Sequence, residues 1–163
     1  LKPIKAGEVD FKHFHTYEEA TALLRMWAAR DPDLVKLYSV GQSLEGREIW
    51  QITITNQKTG KDTDKPAFFI EGGRHAGEIS GIEATLYFVN HVLTNYGKDP
   101  AITKLVDTKT IYAKPHNNPD GASRYSDAFR KKYFEAQANR MNRLIAAALA
   151  ELAAMRMGNV MRA

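Results

Sequence analysis

The chain has 163 residues, 44% of them hydrophobic and 26% charged, with a net charge of +4 and no cysteine. That length supports one domain with its own core, and the composition is ordinary for a soluble globular protein. Disulfides and thiolate metal sites are excluded, and no apolar run approaches the roughly 18 residues of a membrane span, so a soluble chain with no membrane partner is expected.

The charge is unevenly placed. Residues 1–126 hold sixteen basic and sixteen acidic side chains, whereas residues 127–163 hold seven basic and three acidic, so the whole net charge sits in the tail. Two regions are expected: 1–126 and a basic, alanine-rich helical tail over 127–163. The tail lacks the aromatic interleaving and the motifs of nucleic-acid binders, so its charge reads as a solvated helix face and no nucleic-acid partner is expected. The chain begins Leu1-Lys2-Pro3, without an initiator methionine or a signal-peptide pattern, as expected of a processed or shortened chain.

Taken in order, Thr16-x-x-Glu19 fits a capping box, and Ala20, Leu23, Leu24 and Trp27 share one helical face. Asp31-Pro32 closes this helix, because the residue before proline avoids the α region. A helix is therefore predicted over 16–30. Leu34–Val40 and Glu48–Thr55 read as an antiparallel strand pair, with Gly41 and Glu45-Gly46 marking turns. After a polar connection, Pro66–Glu71 is a short apolar run of the kind buried on both faces of a sheet. Ile79–Tyr96 carries Ile82, Leu86, Val89, Val92 and Leu93 at helical spacing. Asp99-Pro100 reads as an N-cap with proline at the first helical position, opening a short helix to about Val106. Thr108–Ala113 is a β-branched strand, and Asn118-Pro119-Asp120-Gly121 is a turn signal. Strand, helix, strand in this order predicts a crossover and a mixed, mostly parallel sheet.

From about Phe129 to Met157 there is neither glycine nor proline. Phe134, Ala138, Met141, Ile145, Ala148, Leu152 and Met155 alternate at spacings of four and three, an a/d seam. A long C-terminal helix is predicted, together with the possibility of a homo-oligomer formed through it.

The chemistry concentrates in Gly72-Gly73-Arg74-His75-Ala76-Gly77-Glu78, between a predicted strand and a predicted helix. An imidazole and a carboxylate three residues apart, outside the carboxyl end of a strand, are metal-ligand types where open α/β sheets place ligands. His-x-x-Glu alone is a weak pattern. His116 has two readings, a hydrogen-bonded strand-end histidine or a further ligand. His13 and His15 form a loop pair, and His91 reads as structural or solvated.

Three segments together resemble the zinc carboxypeptidase family of the carboxypeptidase A/B type: Tyr38-Ser39-Val40-Gly41-Gln42-Ser43-Leu44-Glu45-Gly46-Arg47-Glu48-Ile49, then Gly73-Arg74-His75-Ala76-Gly77-Glu78, then Asn118-Pro119-Asp120-Gly121. They occur in the family's order, and the resemblance covers roughly residues 11–126. It implies an α/β sandwich around a mixed, eight-stranded sheet, of which this chain would supply the N-terminal half. It implies Zn2+ as cofactor, with His75 and Glu78 as its first two ligands. It also implies an arginine after the Asn-Pro-Asp-Gly turn that polarises the scissile carbonyl, for which Arg124 and Arg130 are candidates and Arg130 has the better separation. The substrate implied is the C-terminus of a peptide or protein, and the location implied is secreted or periplasmic. The family's third ligand is a histidine far downstream and its general base a later glutamate. This sequence has no histidine after His116 and no glutamate after Glu151. The expected function is therefore a zinc-dependent carboxypeptidase, truncated in this chain. The alternative is a non-catalytic α/β module that associates through its heptad-patterned helix. Asn139-Arg140 looks like the family's carboxylate-gripping pair but stands at the wrong separation.

Overall fold

A computed structural model describes residues 9–125 and 132; all but the last belong to one unit, Leu1–Ser126. The predicted C-terminal helix, its a/d seam and Arg130 lie outside the described residues.

Helix α1 (Tyr17–Arg30) starts as its sequence dictates. The Glu19 amide donates to Thr16 Oγ1 at 3.2 Å, and the Thr16 amide donates back to Glu19 Oε2 at 2.8 Å, which satisfies two of the helix's unpaired donors. Its buried face is Ala20, Leu23, Leu24 and Trp27. Strands β1 (Val35–Gln42) and β2 (Glu48–Ile54) form the expected antiparallel pair. Gly41 does not turn the chain; it lies within β1. The reversal falls at Ser43–Arg47, where Gly46 takes φ +79°, a conformation that glycine adopts without penalty. Strand β3 (Ala67–Glu71), helix α2 (Ile79–Asn95), helix α3 (Pro100–Thr108) and strand β4 (Thr110–Lys114) follow. Asp99 caps α3 by accepting from the Ala101 and Ile102 amides, with Pro100 in the first turn.

The sheet order is β1-β2-β4-β3. The crossover through α2 and α3 makes β3 and β4 parallel, as predicted, while β2 pairs with β4 antiparallel. Of the three pairings described, two are antiparallel, so the sheet is mixed but not mostly parallel. The expectation failed because β4 inserts between β2 and β3, a choice of neighbour that no local pattern encodes. The same insertion corrects β3. Its continuous apolar run reads as a strand buried on both faces, yet it is an edge strand among the described residues, with Phe68 and Phe69 about half exposed. Apolar content marks a strand but not its position in the order.

The register gives the sheet two different faces. Ile52 pairs with Ala113 and Ile54 with Ile111, and Ile70 stands opposite Ala113, so these residues share one side. That side packs against the helices: Ile52, Ile54, Ile111 and Ala113 join Leu23, Leu24, Trp27, Leu86, Val89, Val92 and Val106 in one core. Burying side chains of this size contributes about 1.5–3 kcal/mol each against exposure, before the entropy of ordering the chain is subtracted. The other side carries Tyr38, Gln51, Thr53, Tyr112 and Phe69. No helix among the described residues is long and apolar enough to cross a membrane.

Candidate metal centre

The parallel pair β3–β4 ends in two loops that lie side by side. The Gly72 amide continues the ladder by donating to the Lys114 carbonyl at 3.0 Å. The Asn117 amide then donates to the Gly72 carbonyl and the Asn118 amide to the Gly73 carbonyl, both at 3.0 Å. Loop 72–78 is thus laced to the segment after β4, outside the carboxyl ends of two parallel strands.

The glycines permit this path. A Cβ built on Gly72 would lie 2.4 Å from the Gly81 carbonyl oxygen, and Gly73 takes φ +63° with Ile82 Cγ1 2.7 Å from its Cβ position. The backbone of the loop therefore passes directly over the first turn of α2, and only glycine at position 72 allows that approach.

His75 and Glu78 project from this loop into solvent, 75% and 58% exposed at the side chain, with His75 Nδ1 3.0 Å from Glu78 Oε1. Glu78 is the N-cap of α2, but its side chain makes no capping bond, so the carboxylate is turned to the imidazole instead. The hydrogen bond from His75 holds the Glu78 carboxyl below the usual glutamate range. Two ligand bonds of about 2.1 Å span about 3.4 Å at a tetrahedral angle and about 3.0 Å at a right angle. The observed separation is close to that span, so the pair fits two positions around one small cation. Among the described residues no group of three or more histidines and carboxylates is placed to hold a metal ion.

The other histidines are occupied elsewhere. His15 is buried and its Nδ1 lies 2.8 Å from Glu83 Oε2 on α2. His13 stays at the surface, 3.9 Å from a Glu19 carboxylate oxygen, so the two do not present a shared pair of donors outward. His116 is 6% exposed, edge-on to the Tyr17 ring at 5.8 Å. Burial pushes it down from 6.5 to about 4, the Glu83 charge opposing this and His15 adding to it. Arg124 is engaged in an ion pair with Glu45. His91 is exposed on α2, the solvated one of its two expected readings, with its ring stacked on that of Tyr87 and Asn95 Nδ2 3.3 Å from its Nδ1.

Two features escaped the sequence reading. Asn118-Pro119 opens a helix rather than only a turn: residues 119–125 are helical, and Asn118 Oδ1 accepts from the Gly121 amide at 3.0 Å. The signal was present, since Asn followed by Pro is the same N-cap grammar as Asp99-Pro100. Glu83 was the other, a carboxylate set among the apolar positions of α2 with nothing in its own segment to announce a partner 68 residues away.

A mixed sheet, with ligand-type side chains on the loop after a parallel strand, is an α/β architecture of the class that places ligands outside the carboxyl ends of its strands. Comparison with known proteins agrees. The zinc carboxypeptidase family matches residues 20–148, well over half of the chain. The sequence is 34% identical to carboxypeptidase D of Anas platyrhynchos over 122 residues, 75% of this chain and 9% of that protein. It is 35% identical to carboxypeptidase A2 of Rattus norvegicus over 117 residues, 72% of this chain and 27% of that protein. The crystal structure of carboxypeptidase A from Helicoverpa armigera is similar with a TM-score of 0.62 at 30% identity, covering 71% of this chain and 27% of that one. The chain belongs to the zinc carboxypeptidase family. It spans 27% or less of the length of these relatives.

Proposed function

We propose that this chain carries the first part of a zinc carboxypeptidase site, with His75 and Glu78 as two of the protein ligands of Zn2+. The observation that carries the reading is the 3.0 Å approach of His75 Nδ1 to Glu78 Oε1 on a glycine-built loop at the carboxyl end of β3. Neutral imidazole and carboxylate are both zinc donors, and membership of the zinc carboxypeptidase family supports zinc as the metal. Zinc, when bound, supplies Lewis-acid activation for hydrolysis of a C-terminal peptide bond in a peptide or protein. The chain's own contribution is to hold the imidazole and carboxylate together and open to solvent. A third protein donor and a proton-accepting group are needed besides these two, and Arg130 is the residue proposed to polarise the carbonyl. A secreted or periplasmic location belongs to the same reading.

Two ligands alone bind a metal weakly. Calorimetric titration of the full chain with zinc should show about one site per chain, and His75→Ala should weaken it by about tenfold or more. Equal affinity in the two proteins would contradict the assignment of His75. Association through the heptad-patterned tail rests on residues outside those described.

A further inference from the structure

We propose that Asp120 is a positioning residue for the loop that carries His75 and Glu78. The inference rests on the zinc reading for its importance but not for its geometry.

Beyond the buried Gly72 and Gly73, residues 74–78 of the loop are exposed apart from the half-buried Ala76, and the segment after β4 backs them. Besides the two backbone bonds from Asn117 and Asn118, Ala76, between the two candidate ligands, sits against Gly121: a Cβ built there would be 2.9 Å from Ala76 Cβ. A Cβ on Gly77 would touch the Tyr125 ring at 3.4 Å. Where the loop stands therefore depends on where residues 117–125 stand.

Asp120 fixes that segment from its other side. Its Oδ1 accepts from Ser43 Oγ at 2.7 Å and from Arg47 Nη1 at 2.8 Å, and its Oδ2 accepts from the Glu45 amide at 3.0 Å. All three donors come from the β1–β2 turn, more than 70 residues away in sequence. The Asp120 side chain is 15% exposed and Arg47 28%, so these charge-assisted bonds are partly shielded from water. Arg47 also pairs with Glu45, which in turn holds Arg124, giving a second tie across the same gap. Both Asp120 oxygens are engaged by donors, so the residue acts through the loop and not as a metal ligand. The two motifs around Glu45-Gly46-Arg47 and Asn118-Pro119-Asp120-Gly121 are thus joined into one brace behind the loop.

The test uses Asp120→Asn in the full chain, which keeps the shape and removes the charge. In the metal-free protein, NMR-detected amide exchange at Asn117 and Asn118 should accelerate by about fivefold or more, with the amides of α1 and β2 unchanged, which separates local loosening from loss of the fold. Zinc affinity should fall by about tenfold. Arg47→Gln, removing a donor from the opposite side, should produce the same two changes, and the double variant should be no worse than either single one. Exchange at Asn117 and Asn118 within twofold of wild type would overturn the proposal. A wild-type chain that takes up no zinc would sink the metal reading instead, and the exchange result would still decide whether Asp120 positions the loop.

Discussion

His75 Nδ1 and Glu78 Oε1 stand 3.0 Å apart across a single turn of chain. Glu78 forgoes capping α2, although it occupies the N-cap position where an acidic side chain is favoured. The bond from His75 lowers the Glu78 carboxyl. His75→Ala should therefore let Glu78 titrate closer to an ordinary glutamate, upward from its wild-type position. Carbon-detected NMR of the side-chain carboxyl across acid pH reads this; an unmoved midpoint would mean that the two groups do not meet in solution.

Gly72 tests the approach of the loop to α2. Alanine there would place its Cβ 2.4 Å from the Gly81 carbonyl oxygen, and both partners are backbone, so neither yields by rotating a side chain. Gly72→Ala should destabilise the domain by about 2–3 kcal/mol. Gly97→Ala has open space around its Cβ and is costly only through φ +75°, about 1 kcal/mol. Denaturant unfolding of the two variants should place Gly72→Ala well below Gly97→Ala.

His15 and Glu83 pin the segment before α1 to α2. The His15 side chain is 4% exposed and that of Glu83 15%. Removing either leaves a mostly buried polar group without its partner, at about 2 kcal/mol. His15→Ala and Glu83→Ala should each lower unfolding stability by about that amount, and the double variant should fall well short of the sum. Additive losses would show that the pair is not coupled.

His116 gives the fold an acid dependence. Its folded value, about 4, lies below the unfolded 6.5 because burial disfavours the charged ring. The unfolded chain therefore binds the proton first as pH falls. The stability from neutral His116 is complete above pH 6.5 and is lost progressively towards pH 4, by up to about 3 kcal/mol. His116→Leu should flatten the stability profile between these limits, as read by urea unfolding at several pH values. A profile as steep as that of the wild type would assign the dependence to other groups.

What the sequence made legible follows the range of the interactions. The capping box Thr16/Glu19, the cap at Asp99 and the helical faces of α1 and α2 are encoded within one or two turns, and the structure has them as read. Asn118-Pro119 was equally local, but among the described residues that follow, 120–125, Ala122 is the one buried apolar side chain, so no apolar period reinforced the cap there. Strand order is not local, and the edge position of β3 among the described residues could not be inferred from Phe68-Phe69-Ile70. The candidate pair His75/Glu78 was visible because its members are only three residues apart. His15–Glu83 and Asp120–Arg47, separated by 68 and 73 residues, were not, since neither partner carries a mark of the other.

The central claim is that His75 and Glu78 hold zinc together. Crystals of the zinc-soaked full chain, measured on both sides of the zinc absorption edge, test it most directly. The account predicts an anomalous peak about 2.0–2.2 Å from both a His75 ring nitrogen and a Glu78 carboxylate oxygen. Zinc bound at other residues, with the His75–Glu78 hydrogen bond intact, would contradict it.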